Sequence, residues 1–301
     1  MRAAGRVVSW QAQGGEARVF EGVFRQTGGG RGRATRGFDP TEFGRRRRAD
    51  RGATNRFSDR DLDGAIRATL EIGIGECELW QGHVEPRAAS GKDAELSRWR
   101  DETPASYFHG IARRFRTEGI RLYSYDFQFR ETFTDHEIER GLEIGRELGA
   151  HCMVTSSATV SLAKRMAPFI EKHKMPVGMH GRTNVMDPNE FAGPESFERA
   201  LGYSRSIGVN LDLGHFTAAG YDAVSFIRKH HDRILSIHLK DRKRGQGGSM
   251  PFGEGDTPIR ECLQLLKRNR WKIPAHIEHD RGGDRVAEFR KSFEYCRRAL
   301  A

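Results

Sequence analysis

The stretch IGVNLDLGHFTAAG, residues 207–220, begins like a buried strand and then becomes polar. Asp212 interrupts the apolar run where a strand would leave the core, and His215 follows three residues later. In folds that alternate strands and helices, active-site residues lie at the carboxyl ends of the strands. The stretch therefore predicts either a polar turn after a strand or a metal or acid/base site, and the surrounding chain has to decide between them.

The chain around this stretch alternates between strand and helix periods from about residue 61 onward. Seven apolar segments of strand type are each followed by a segment of helical period, which requires parallel strands joined by right-handed crossovers. The seven segments are IGECELW (74–80), IRLYSYDF (120–127), AHCMVTSS (150–157), MPVGMHG (175–181), VNLDLGH (209–215), ILSIHLKD (234–241) and KIPAHIEHD (272–280).

A closed barrel needs an eighth strand at the start, and RGATNRF (51–57) occupies that place. Its Arg, Asn and Gly residues are unusual in a barrel strand, where Val and Ile are favoured. We predict an α/β fold, a (β/α)8 TIM barrel over residues 51–301 with an atypical first strand. A doubly wound open sheet is the alternative.

The net charge of +10 belongs to the N-terminal segment. Residues 1–60 hold 14 Lys and Arg against 6 Asp and Glu, whereas the remaining residues hold 37 against 35. We predict that residues 1–50 are a disordered, basic extension rich in Gly and Arg, because such a segment buries too little apolar area to fold. The near-neutral body argues against a nucleic-acid partner. Without an apolar leader or spanning segment, we expect a cytoplasmic protein with no membrane partner.

Four successive predicted strands end in a residue that can bind a metal ion. They are His180, Asp212, His238 and Glu278. Because a barrel brings its strand ends together around one axis, we expect these four side chains to converge. Two imidazoles and two carboxylates suit Mn²⁺, Co²⁺, Zn²⁺ or Fe²⁺ and do not choose among them.

Other polar residues are expected around this site. Glu76, Glu78 and Trp80 alternate on one face of their strand, which points them into the barrel mouth. The residues predicted to bind substrate are Trp80, His83, Lys240 and Arg242. The turn-rich loop PFGEGDTP (251–258) precedes a helix whose amide groups could accept an anion.

From about residue 60 to residue 300 the chain resembles the sugar phosphate isomerase/epimerase group of xylose isomerase-like TIM barrels. The resemblance lies in GECELWQGHVEP, NLDLGHFTAAGYDAVSFIRKHHDRILSIHLKDRK, PFGEGDTPI and IPAHIEHD. In the sugar enzymes of this superfamily a Glu, an Asp, a His and a Glu from strands 5 to 8 bind one divalent metal ion. The resemblance places the last three on Asp212, His238 and Glu278, but His180 stands where the first Glu is expected.

The resemblance implies a divalent-metal-dependent isomerase or epimerase that acts on a sugar, keto-sugar or cyclitol through an enediolate. Its catalytic candidates are Glu278, His215 and Glu78, and it allows a homo-oligomer, since such barrels often pair. A lyase or dehydratase is the alternative, because a leaving group could depart from the same enediolate. A non-catalytic sugar-binding barrel and an apurinic-site endonuclease are further alternatives. The nuclease would need an Asp-x-His in the loop GQGGSMPFGEGD, which has no histidine.

Overall fold

A computed structural model describes residues 51–87, 93–278 and 284–301 of the chain. Eight parallel strands in this part of the chain close into a barrel, in which each strand lies beside the barrel strands before and after it in the chain and the last lies beside the first. The predicted TIM barrel is thereby confirmed, and the open sheet is wrong. The extension predicted over residues 1–50 lies outside the described residues.

The barrel strands agree with the segments read from the sequence. They are β1 Arg51–Ala53, β2 Glu76–Trp80, β3 Arg121–Asp126, β4 Cys152–Thr155, β5 Val177–His180, β6 Ile207–Asp212, β7 Ile234–Leu239 and β10 Ala275–Ile277. A small antiparallel hairpin, formed by β8 Asp241–Arg242 and β9 Ser249–Met250, follows β7. The hairpin was not predicted, because two-residue strands leave no periodic pattern.

The helices lie between the strands, as the helical periods predict. They are α1 Leu62–Ile72, α2 Asp93–Glu102, α3 Ala105–Thr117, α4 Asp135–Glu147, α5 Val160–His173, α6 Pro194–Leu201, α7 Leu213–Ala218, α8 Ala223–His230, α9 Ile259–Asn269 and α10 Arg285–Leu300. A capping box begins α4, in which Thr134 and Glu137 are bonded reciprocally. None of the described helices is long and apolar enough to cross a membrane.

The unusual composition of β1 has a steric reason. A Cβ on Gly52 would lie 2.5 Å from Cζ of Phe289 and 3.0 Å from Cδ1 of Ile74. Phe289 on α10 is fully buried and packs on the ring of Phe57, 5.7 Å between centroids. Because an aromatic ring occupies the space that a Val or Ile side chain would need, β1 uses glycine where it joins β2 to β10.

The interior of the barrel contains a polar layer beneath its mouth. Barrel interiors are ordinarily filled by Val, Ile and Leu. Here five inward-facing residues, each at most 1% exposed, are polar: Glu78, Ser124, Asn210, Ser236 and His276. Buried polar groups cost free energy unless they are hydrogen-bonded, so this layer requires a network of partners.

Three backbone amides of the loop at 251–258 already bind a carboxylate of the chain itself, whereas an anion at the amides of the following helix stays a prediction. Asp241 is 1% exposed, and its carboxylate accepts hydrogen bonds from the backbone N–H groups of Gly253, Gly255 and Thr257 at 2.7, 3.1 and 3.2 Å. The chain therefore supplies its own anion to this loop. The same contacts fix the segment that follows Lys240.

Replacing Gly52 by alanine is expected to destabilise the barrel. Alanine has fewer conformations in the unfolded chain than glycine, which alone would stabilise the folded state, but its methyl group would collide with Phe289. Forcing a methyl group against Phe289 should cost about 1–3 kcal/mol in the free energy of unfolding. Gly110 in α3 has nothing within 4 Å of its ideal Cβ, so Gly110→Ala is the matched control and should stabilise the protein by roughly 0.5–1 kcal/mol. Urea unfolding measures both, and equal effects would contradict the steric explanation.

Candidate active site

A cavity of about 680 Å³ opens at the carboxyl ends of the barrel strands. Its size is suited to a small molecule. Its described lining includes six residues singled out from the sequence, namely Trp80, His180, His215, His238, Lys240 and Glu278. It also includes polar residues that the sequence analysis did not select, among them Asp126, Gln128, Ser156, Arg182 and Glu190. Asp126 ends β3, so the strand-end rule applied to every strand would have found it.

Four side chains converge at the cavity floor as predicted. The ligand atoms of His180, Asp212, His238 and Glu278 lie within 4.8 Å of one another, and all four residues are buried. The buried Oδ2 of Asp212 accepts no hydrogen bond from the described residues, although Nζ of Lys240 forms an ion pair with it at 3.3 Å and Nε2 of His215 lies 3.6 Å away. A buried carboxylate oxygen in this position, with nitrogen and oxygen donors around it, fits a divalent transition-metal ion.

The local sequence explains how Asp212 is oriented. Asp212 is the last residue of β6 and also the N-cap of α7, where its Oδ1 accepts the backbone N–H of His215 at 2.7 Å. An N-cap carboxylate uses one oxygen on the helix and leaves the other available. The spacing of three residues between Asp212 and His215 is therefore that of a helix cap, and it directs Oδ2 into the cluster.

Lys240 lies on the same carboxylates as the predicted metal ligands. Its Nζ is 3.3 Å from Oδ2 of Asp212 and 3.2 Å from Oε1 of Glu278, and the residue is 3% exposed. Nζ is also 3.2 Å from Nε2 of His215. The ammonium group partly neutralises both carboxylates and stands at the cavity, where it could donate to an oxygen of a bound molecule. Its role in substrate binding stays a prediction.

Arg242 contacts His215 rather than the cavity. Its Nη1 donates to Nδ1 of His215 at 2.7 Å, and its Nε and Nη2 donate to the carbonyl of Gly247. Guanidinium and ammonium groups only donate, and Lys240 faces Nε2 of His215 at 3.2 Å, so a neutral ring can accept from only one of the two cations. The shorter contact, with Arg242, favours Nδ1 as the acceptor and a proton on Nε2. Burial, with Lys240 and Arg242 nearby, lowers the pKa of His215 below its ordinary value, although Asp212 opposes this. The substrate contact predicted for Arg242 has no support in this position.

His238 lies between two carboxylates. Its Nδ1 is 2.8 Å from Oε2 of Glu278, and its Nε2 is 2.8 Å from Oε1 of Glu78 across the barrel. Burial alone would raise the pKa of Glu78, but the charge and hydrogen bond of His238 outweigh it and lower that pKa to about 2. Burial would lower the pKa of His238, but the two carboxylates raise it well above its ordinary value. Glu78 is 1% exposed and lies outside the described cavity lining, and its hydrogen bond to His238 links it to the cluster, so its catalytic role stays a prediction.

His180 is held by a residue that the sequence analysis missed. Its Nδ1 is 2.5 Å from Oδ1 of Asn210, whose amide nitrogen donates to Oγ of Ser236 at 2.6 Å. Burial and the nearby His238 lower the pKa of His180 to about 4. A signal for Asn210 existed in the sequence, since an Asn two residues before Asp212 shares its inward face of β6.

His83 is a buried residue near the barrel mouth that contacts other parts of the protein. Its ring nitrogens lie 3.1 Å from Oγ1 of Thr54 and 3.1 Å from the carbonyl of Phe57, and the residue is buried. Its ring packs edge-on against Trp80, 5.3 Å between centroids. This position does not support the predicted contact with substrate. It indicates instead that His83 fixes the Trp80 ring, which does line the cavity.

Comparison with known proteins identifies the relatives of this chain. A family model described as a xylose isomerase-like TIM barrel matches residues 66–299. Among curated proteins, the L-ribulose-5-phosphate 3-epimerase UlaE of Escherichia coli is 27% identical over 143 residues, which are 44% of this chain and 50% of the relative. The chain thus spans only about half the length of the curated relatives it matches, 58% and 50% for two of them.

Two solved structures have the same fold at low sequence identity. The probable 3-DHS dehydratase AsbF from Bacillus anthracis is 14% identical, with a TM-score of 0.62 and coverage of 81% of this chain and 97% of that one. The IolI protein with a bound zinc atom is 13% identical, with a TM-score of 0.62 and coverage of 83% and 97%. At these identities the similarity shows the fold alone.

Replacing Asp212 by asparagine is expected to abolish divalent-metal binding while the protein stays folded. Asparagine keeps an oxygen for the cap of α7 but removes the charge on the ligand oxygen. Metal affinity typically falls by roughly 10- to 100-fold when a residue that hydrogen-bonds to a metal ligand is removed. Because Asp212 is itself a proposed ligand, its replacement should lower the affinity by more than this. Titration calorimetry with Mn²⁺ or Zn²⁺ measures this.

Asp222 provides a matched control for this substitution. It is the N-cap of α8, where it accepts from the backbone N–H groups of Val224 and Ser225. Asp222→Asn makes the same chemical change at a helix cap outside the cluster, so it should leave metal affinity as it is in the wild type. Equal affinity in the Asp212 and Asp222 variants would contradict the assigned cluster.

Proposed function

The chain belongs to the xylose isomerase-like TIM barrel family, and from that premise we propose that it is a divalent-metal-dependent isomerase or epimerase of a sugar, keto-sugar or cyclitol. The observation that carries the proposal is the convergence of His180, Asp212, His238 and Glu278, three of which line a cavity of suitable size. The family comparison and the substrate named for the UlaE relative agree with a small hydroxylated substrate.

The four residues of the cluster would hold the ion. An ion bound there supplies a Lewis acid that polarises a substrate carbonyl and stabilises the charge of an enediolate. The chain's own groups then have to bind the substrate, remove the proton α to the carbonyl and return a proton.

Glu278 is the base in this mechanism. Its carboxylate lines the cavity, with Oε2 bonded to His238 and Oε1 beside Nζ of Lys240. An ion bound to Nδ1 of His238 would replace the first contact, whereas the ion pair with Lys240 would still direct the carboxylate, and a fixed base needs no reorientation to take a proton. His215 is the second group, because its Nε2 proton faces the cluster while Arg242 occupies Nδ1. Lys240 donates to the oxygen on which negative charge develops.

The rest of the lining supports a polyhydroxylated substrate. Asp126, Gln128 and Ser156 present oxygen and nitrogen atoms to the cavity, and Trp80 adds an apolar ring. Sites of this kind bind sugars through hydrogen bonds to hydroxyl groups and through contact of the C–H faces with an aromatic ring.

A dehydratase or lyase is the second candidate, and one observation favours it. His180 stands where the epimerases keep a second glutamate, so the cluster contributes a single glutamate, Glu278. Elimination needs one base to remove the α proton and one acid to assist the leaving group, roles that Glu278 and His215 can fill. Epimerisation requires His215 to return a proton to carbon.

Two substitutions separate the steps of the mechanism. Glu278→Gln should lower turnover by roughly 10²- to 10⁴-fold, because the base is lost. His215→Asn should lower turnover with metal content unchanged, since His215 is outside the proposed ligand set. Elemental analysis and steady-state rates over ketoses, 3-keto-sugars and inososes measure both, and Glu294→Gln on the exposed side of α10 is the control.

Exchange with solvent tests the enediolate itself. In D₂O the Mn²⁺-loaded enzyme should place deuterium on the carbon next to the carbonyl, and proton NMR also distinguishes a stereoisomer from a dehydrated product. A wild-type protein with no bound ion and no rescue by Mn²⁺ or Co²⁺ would refute the proposed function. Full function in the Glu278 variant that still binds metal would favour a non-catalytic sugar-binding barrel.

A further inference from the structure

The two histidines of the cluster each form a hydrogen bond to a residue deeper in the barrel, His238 through Nε2 and His180 through Nδ1. His238 uses Nε2 for Glu78 and directs Nδ1 toward Glu278. His180 uses Nδ1 for Asn210 and directs Nε2 toward Asp212, 3.9 Å from its Oδ2. Which nitrogen faces an ion therefore differs between the two rings.

Glu78 constrains the ring of His238. An ionised carboxylate only accepts hydrogen bonds, so the facing Nε2 of His238 must carry a proton. The second oxygen of Glu78 accepts from Oγ of Ser124 at 2.9 Å, and Ser124 pairs with Glu78 in the register of β2 and β3. Both oxygens are thus held within the polar layer. Nδ1 of His238 also faces a carboxylate, but that carboxylate is Glu278 of the cluster, so an ion bound by the cluster would take the place of the proton on Nδ1.

Asn210 constrains the ring of His180 in the same manner. The amide nitrogen of Asn210 donates to Ser236, so its Oδ1 is turned toward Nδ1 of His180 and accepts from it. Asn210 pairs with His180 on β5 and with Ser236 on β7, so three adjacent strands hold the contact. The nitrogen left for an ion is Nε2 of His180.

We propose that Glu78 and Asn210 are positioning residues that hold His238 and His180 in opposite ring tautomers, so that His238 offers Nδ1 and His180 offers Nε2 to the ion. The proposal rests on the metal-binding cluster of the proposed function. Hydrogen bonds to the outer nitrogen of a ligand histidine fix its ring and strengthen it as a ligand. The role of Glu78 is then to orient a ligand, without touching the substrate.

A second ion between Glu78, His238 and His276 is the competing interpretation, because these three also bring ligand atoms within 4.8 Å of one another. The contacts argue against it. Oε1 of Glu78 accepts from His238 at 2.8 Å and Oε2 accepts from Ser124 at 2.9 Å, so an ion there would have to break both hydrogen bonds. Zinc titration decides the point, since two ions per chain would contradict the positioning role.

The test uses the full chain labelled with ¹⁵N at histidine and loaded with Zn²⁺. Ring ¹⁵N shifts distinguish a protonated nitrogen from a metal-bound one. We expect His238 to show a protonated Nε2 and a bound Nδ1, and His180 to show the reverse. In the metal-free protein His180 should already carry its proton on Nδ1. Zinc bound through Nε2 of His238, or the same nitrogen bound in both rings, would overturn the proposal.

Variants separate positioning from a general effect of charge. Glu78→Gln should weaken Zn²⁺ binding by roughly 10- to 100-fold, because its amide can also donate and no longer forces a proton onto Nε2 of His238. Glu76→Gln is the matched control two residues earlier on β2, where the carboxylate accepts from Arg121, and it should bind as the wild type does. Equal losses in the two variants would refute the role of Glu78.

Variants of Asn210 test the positioning role independently, even if the Glu78 variant does not fold. Asn210→Asp keeps an acceptor for Nδ1 of His180, so both the tautomer and the Zn²⁺ affinity should persist. Asn210→Leu removes the acceptor and should weaken binding by roughly 10- to 100-fold. Unchanged affinity in the folded leucine variant would overturn the positioning role. A wild type that binds no zinc but shows the predicted His180 tautomer would refute the proposed function and leave the positioning of His180 supported.

Discussion

The parallel register of the barrel strands is the constraint on which the candidate site depends. All eight strands point the same way, so their carboxyl ends meet at one mouth and each strand contributes its last inward residue there. Asp212 on β6 pairs with His238 on β7, and Asn210 on β6 pairs with His180 on β5. Because side chains alternate between the two faces of a strand, a slip of one residue in either pair would move these groups out of the interior.

The same register places a supporting layer below the ligands. A residue two positions earlier on an inward-facing strand lies one layer deeper, which is how Asn210 comes beneath Asp212 and Ser236 beneath His238. Burying such groups is costly unless they are paired, and the pairs Asn210–Ser236 and Glu78–Ser124 meet that requirement. The proposed ligands above this layer would account for the polar interior, since an apolar layer would leave two imidazole rings free to turn.

The fold was largely predictable from the sequence, because period and strand-end position depend on local pattern. Seven strands and the convergence of His180, Asp212, His238 and Glu278 followed from that pattern alone. The contacts that assign roles did not, since they join distant residues. Glu78 meets His238 across 160 positions of chain, and nothing in its own strand says that its partner is a histidine rather than a substrate. The partners of His83 could not be predicted for the same reason, because Thr54 and Phe57 approach it only in the closed barrel.

Buried charge connects the supporting layer to the proposed ion. Among the described residues, three buried carboxylates, Asp212, Glu278 and Glu78, surround the cluster, and the buried ammonium group of Lys240 lies beside two of them. Unpaired charges in a protein interior are costly, and the raised pKa of His238 means that a protonated ring between Glu78 and Glu278 offsets part of this charge when no ion is bound. The proposed divalent cation would supply two positive charges in place of that proton, with both histidines neutral as metal ligands must be. Three negative charges would then face three positive ones, and a histidine at position 180 adds no further negative charge to this balance.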